Sequence, residues 1–240
     1  MKRLLAAGLG VLLLLAAQLA EARVFWGLGR PEAGLIPATD VSYRRAYTAE
    51  LTINQGKGRL EVWGTARDPE SVLQDLQAKA RAEGGRIMAA SGGALAWALA
   101  VTADGRIHRL LVSAAEGRYC HVFQLSQDED DYRRSLAPPD RVPLDVPTVP
   151  GARVTSYLAN DASGTALASL ASDGDPVALR QPLAEQLAAA GWERLPAGGG
   201  DGAVFVRGGA LLLVSVKRAG ADGGALVTLA HKRLKASERP

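Results

Sequence analysis

One pattern constrains this chain more than any other, because the chain contains it twice. Asp68-Pro69, Leu76, Gly84 and Gly92-Gly93 recur 107 residues later as Asp175-Pro176, Leu183, Gly191 and Gly199-Gly200. The matched residues do matched work. Asp caps a helix N-terminus, Pro suits the first helical position, and Gly accepts the left-handed conformation just past a helix end. One constant offset at all of these positions predicts a duplicated unit.

Each copy reads as two strands, a helix and three further strands, with room for one more short strand. Thr48 to Asn54 and Arg59 to Thr65 flank a Gly-containing turn, the signature of a hairpin. After Asp68, Val72, Leu73, Leu76 and Ala80 fall on one helical stripe, with Gln74, Lys79, Arg81 and Glu83 pointing away. The extended runs that follow are Arg86 to Ala90, Leu95 to Val101, Arg106 to Ser113 and Tyr119 to Ser126. In the second copy the helix runs from Asp175 to Ala190 on a Leu179, Leu183, Leu187 stripe. Pro182 inside it predicts a kink or a restart, since proline lacks the amide that would bond Ala178. Leu211 to Val214 is apolar on both parities, which predicts a strand buried on both faces. The expected fold is α+β: two tandem domains in ββαβββ order, each an antiparallel sheet covered by one helix.

The predicted boundaries follow the composition. Residues 1–22 read as a signal peptide. Lys2-Arg3 precedes the uncharged run Leu4 to Leu19, and Ala20-Glu21-Ala22 offers a small-x-small cleavage site. That run is shorter than the roughly 20 residues a spanning helix needs, so no stable membrane insertion is expected after cleavage, and a periplasmic or secreted protein is. Residues 23–48 form an irregular N-terminal segment, 49–127 the first repeat and 153–235 the second, with a tail at 236–240. Residues 128–152 read as an acidic, then Pro-rich linker, in which Pro138, Pro139, Pro143, Pro147 and Pro150 favour an extended spacer or an arm lying across a domain. The Asp128-Glu129-Asp130-Asp131 run lacks the spaced ligands and glycine of a calcium loop and reads as a solvated charge run.

Charge excludes some partners. Without residues 1–22 the chain carries 26 basic and 24 acidic residues, so nothing in the balance calls for nucleic acid. Cys120 is the single cysteine, which rules out an internal disulfide and a Cys-rich metal site. Cys120 and His121 are adjacent in a predicted strand and point to opposite faces, so they cannot pair as nucleophile and base. Cys120 is therefore expected as a small buried side chain. Gly27-Leu28-Gly29 and Gly198-Gly199-Gly200-Asp201-Gly202 resemble nucleotide loops only in glycine content, and neither has the strand, lysine and hydroxyl such a loop requires. No metal, cofactor or catalytic residue is predicted.

The large side chains Trp63, Trp97, Trp192, Phe25 and Trp26 are the candidate binding residues. The sequence favours an exported, non-enzymatic binding or assembly protein of the bacterial envelope, docking an envelope or secretion-system protein through an inter-domain cleft or a sheet edge. A periplasmic hydrolase with its site at the domain interface, or a small-ligand carrier or sensor, is the alternative.

Overall fold

A computed structural model describes residues 35–37, 39–92, 95–102, 105–115, 119–196, 202–219 and 224–234. The expected signal peptide, Phe25 and Trp26, and most of the Gly198–Gly202 loop lie outside them. Among these residues the elements are β1 (Arg44–Ile53), β2 (Gly56–Thr65), α1 (Pro69–Ala82), β3 (Arg86–Gly92), β4 (Leu95–Val101), β5 (Ile107–Ala114), β6 (Cys120–Gln127) and α2 (Glu129–Leu136). They continue with β7 (Ala152–Asn160), β8 (Thr165–Ser172), α3 (Pro176–Ala189), β9 (Glu193–Arg194), β10 (Gly202–Arg207), β11 (Ala210–Ala219) and β12 (Gly224–Arg233).

The strands hydrogen-bond in the order β3-β4-β5-β6-β2-β1-β7-β8-β12-β11-β10-β9, a sheet of 12 strands. Counted from its own first strand, each half follows one order: first, second, sixth, fifth, fourth, third. Both long helices have 14 residues, begin with Pro after an Asp cap, and end near a positive-φ glycine, Gly84 or Gly191. Four strands follow each helix, one more than the ββαβββ reading. In the first half the addition is β3, which pairs along the whole of β4 from Arg86↔Val101 to Gly92↔Leu95.

The chain divides into two compact units. In the first (residues 1–48, 61–102 and 108–124), α1 packs against β3 and β4. Val72, Leu73, Leu76 and Ala80 meet Ala96, Ala98, Ala100, Leu110, Val112 and Val122, and Leu35 and Ile36 complete the core. Alanines under the helix let it approach the sheet closely, so the larger residues of β4 face the other way.

In the second unit (residues 49–60, 103–107 and 125–240), α3 packs against β9, β11 and β12. Leu183, Leu187 and Trp192 meet Phe205, Leu212, Val214, Val227 and Leu229. The helix runs unbroken through Pro182, whose ring is exposed and displaces no core side chain. The segment expected as a linker is more structured than its composition suggests. Its acids build α2, where Asp128 caps the Asp131 amide and Arg133 and Arg134 pair with Glu129 and Asp131. Its Val142, Leu144, Val146 and Val149 then pack on the core, so the prolines space apolar anchors along an extended arm.

Asn54 makes three of the bonds that hold the β1–β2 turn within the second unit. Asn54 has φ 53°. Its Nδ2 donates to Ser135 O at 2.6 Å, its Oδ1 accepts from the Tyr157 amide at 2.8 Å, and its own amide donates to Tyr157 O at 2.7 Å. Beside it the Lys57 amide donates to an Asp131 carboxylate oxygen at 2.7 Å.

Candidate functional site

The edge of the first unit carries a cluster of exposed apolar side chains. β3 ends the strand order, so one side of its backbone has no sheet neighbour among the described residues. Ile87 and Ala89 point into the core and leave Met88 outward, 63% exposed. On β4 the alanines point in, so Trp97 and Val101, each 39% exposed, stand on the same outer face as Met88, with half-buried Leu99 between them and Leu95 beyond Trp97. The register sets Met88 opposite Leu99, Ala90 opposite Trp97 and Arg86 opposite Val101. An aromatic side chain, a flexible methionine and an open strand edge are the materials of strand-addition docking.

The other candidate tryptophans are placed differently. Trp63 and Trp192 are each 2% exposed and belong to the cores of the first and second units. Each carries a cation on its ring. The Arg45 guanidinium lies 5.7 Å from the Trp63 ring centre, and that of Arg207 4.7 Å from the Trp192 ring centre. Arg207 also donates to Ala190 O at the end of α3 and pairs with Asp145 of the extended arm, so Trp192 sits under a strut.

A shallow cavity of about 440 Å³ opens in the first unit at the start of α1, lined by Arg67, Asp68, Ser71, Tyr119 and Cys120 among others. Its Arg67, Asp68 and Ser71 are engaged in structure. Asp68 caps α1, accepting from the Ser71 amide at 2.9 Å and hydroxyl at 2.6 Å, and those bonds hold its carboxyl below the usual range. Burial, assisted by the Asp68 charge, pushes the Cys120 thiol up, so it is not a poised thiolate. Cys120 is 1% exposed, while His121 on the same strand faces out. His108 is buried at 1% exposure within the first unit. No group of three or more His, Cys, Asp or Glu residues that could hold a metal ion occurs among the described residues.

Two polar clusters in the first unit escaped the sequence reading. The buried Glu61 carboxylate accepts from Gln124 Nε2 at 3.0 Å and faces Arg45 at 3.4 Å. Near α1, the Tyr43 hydroxyl donates to Asp75 at 2.7 Å, and Lys79 joins Asp75 to Asp40. Burial alone would raise the Asp75 pKa. The bonds from Lys79 and Tyr43, with the charges of Lys79 and Arg67, outweigh it and lower the value. The same surroundings, burial first and then the Asp75 bond, raise that of the Tyr43 phenol. Neither cluster has a periodic sequence signature, because its members come from separate elements.

No family model matches the chain, and no curated protein matches it. Among solved structures there is a similarity to a chain of "Crystal structure of MucB in complex with MucA(peri)". It is 10% identical, spans 78% of this chain and 88% of that one, and has a TM-score of 0.16. A superposition that loose does not establish a shared fold. No helix among the described residues is long and apolar enough to cross a membrane.

Proposed function

We propose that this chain is an exported, non-enzymatic binding protein of a bacterial envelope, built by duplication of one α+β unit. It holds an envelope protein by adding a strand of that partner to β3, with the partner's side chains seated on Met88 and Trp97. The carrying observation is the coincidence of the open β3 edge with the exposed Met88, Trp97 and Val101 cluster. Isolated apolar side chains are common on protein surfaces, whereas three clustered at an unpaired edge invite pairing unless they are covered. The duplication rests on the constant offset of 107 residues and on the shared strand order. Export rests on the signal-like residues 1–22.

The test is photocrosslinking in intact envelopes, with the reactive residue placed at Met88 or, as a control, at exposed Glu185 on α3. One protein adduct is expected from position 88 only, and Trp97→Asp should reduce it by at least tenfold. Equal labelling from both positions, or no adduct from position 88, rejects the reading.

A further inference from the structure

We infer that the outer sheet face of the second unit is a docking surface for an amphipathic helix with acidic residues beside its apolar stripe. The surface is separate from the β3 edge and does not depend on that reading. The ladders define it. On β8, β12 and β11 the core takes Ala166, Ala168, Leu170, Val227, Leu229, Leu212, Val214 and Val216, which leaves the alternate residues on the opposite face. The registers sort these into cross-strand rows. One row is small across five strands and hydroxylated on four: Ser156, Ser169, Thr228, Ser215 and then Gly202. The row beside it is apolar: Leu158, itself buried at 8% exposure, and then Leu167, Ala230, Leu213 and Val204. On the other side of the hydroxyl row stand Arg153, Ala171, Leu226 and Lys217. Leu213 is 44% and Leu226 39% exposed.

The small row lies between Leu167, Leu213 and Val204 on one side and Arg153, Leu226 and Lys217 on the other, with Ala230 and Ala171 breaking the two walls, and so forms a shallow trough that crosses the strands. Five strands at about 4.8 Å spacing span about 19 Å, the length of a helix of about 13 residues. A 14-residue helix, α3, already covers the other face of this sheet. The occupant cannot be an extended strand, because β7, β8, β12 and β11 are interior strands whose backbone groups are committed to ladders on both sides. Recognition must come from side chains, and a helix presents them at matching width. Charge selects among helices. Among the described residues the face carries Arg153, Lys217 and Lys232, whose ammonium also donates to Ser163 O at 2.7 Å, against one acid, Glu193, on the terminal strand β9. Three cations beside leucines match acidic residues flanking an apolar stripe.

The full chain is to be offered a displayed library of 14-residue helical peptides with randomised stripe and flanking positions. The expected winners carry Leu or Ile at i, i+3, i+4 and i+7 with Asp or Glu beside them. Fluorescence anisotropy of one winner should show at least tenfold weaker binding to Ser215→Trp, which fills the trough, and to the double variant Arg153→Glu, Lys217→Glu. A peptide with its acids changed to Lys should regain affinity for the double variant. Leu213→Asp, at an exposed position, gives the same reading should Ser215→Trp fail to fold, and Met88→Asp should bind as the parent does. The inference is overturned by winners that are basic or proline-rich, by no enrichment, or by binding indifferent to these changes. It is equally overturned by Leu213-dependent co-sedimentation with phosphatidylglycerol vesicles, or by a Leu213-dependent dimer in analytical ultracentrifugation.

Discussion

Replacing Asn54 separates two contributions that a single alanine substitution would merge. Asn54→Gly keeps the freedom to sit at φ 53° and keeps the backbone bond to Tyr157 O, but loses the side-chain bonds to Ser135 O and the Tyr157 amide. Each such bond contributes about 0.5–1.5 kcal/mol net, so a loss of about 1–3 kcal/mol is expected. Asn54→Ala loses the same bonds and also forces a Cβ-bearing residue with no local hydrogen bond into the left-handed region, adding about 1–2 kcal/mol. The order of stability should be parent, Gly, Ala. Urea denaturation measures it directly, and in a chain of this size each kcal/mol lowers Tm by about 2–4 °C. Hydrogen exchange of the Tyr157 amide should quicken in both variants. If Asn54→Gly lies within about 0.5 kcal/mol of the parent, the side-chain bonds are not holding the turn. If Ala is no worse than Gly, the left-handed conformation is not needed.

Gly85→Ala should be strongly destabilising, by about 2 kcal/mol or more. Its Cβ would stand 2.4 Å from Val101 O and 2.9 Å from Ala80 O, backbone atoms that cannot swing aside. Gly174→Ala, whose nearest neighbour at 3.4 Å is the Ser172 hydroxyl oxygen, is the tolerant control in the same denaturation series. Stability should also fall with acid through His231. Burial, followed by the charges of Arg233 and Arg207, lowers its pKa from the ordinary 6.5. The unfolded chain therefore takes up this proton before the folded one does. The contribution is complete above pH 6.5 and declines as pH falls toward the depressed folded value. His231→Gln should flatten the stability profile of the parent between pH 7.5 and 5.5, and an unchanged slope would contradict the assignment.

The elements legible in sequence were those whose signals are local. Asp68 and Asp175 cap their helices, and the Val72, Leu73, Leu76, Ala80 stripe is buried. The helix-covered face in each half of the 12-stranded sheet follows from such stripes. What stayed hidden depends on choices that periodicity leaves open. The alternation in β4 shows two faces but not which one the helix covers, and the alanines took it because close packing needs small residues. Leu211 to Val214 predicted a strand buried on both faces. In the structure Leu213 is 44% exposed, so apolar character on both parities marked a surface instead. The acids of 128–131 build a cap and a turn of helix, which charge content alone does not reveal. Asn54, a loop residue in sequence, acquires its role only from Ser135 and Tyr157, distant in the chain.

The two ends of the strand order are unequal, and this bears on self-assembly. β3 offers seven residues of edge, while β9 offers two, with Leu195 adding one bond to Val204 O. A filament grows when each added molecule presents one end that fits and another that is free to be fitted. With one of its ends blunted, this sheet can join a copy of itself β3 to β3, and among the described residues that union leaves no full-length edge exposed. Growth then closes at a pair, related by a twofold axis, instead of propagating. A protein carrying one sticky strand is thereby limited to small, finite associations.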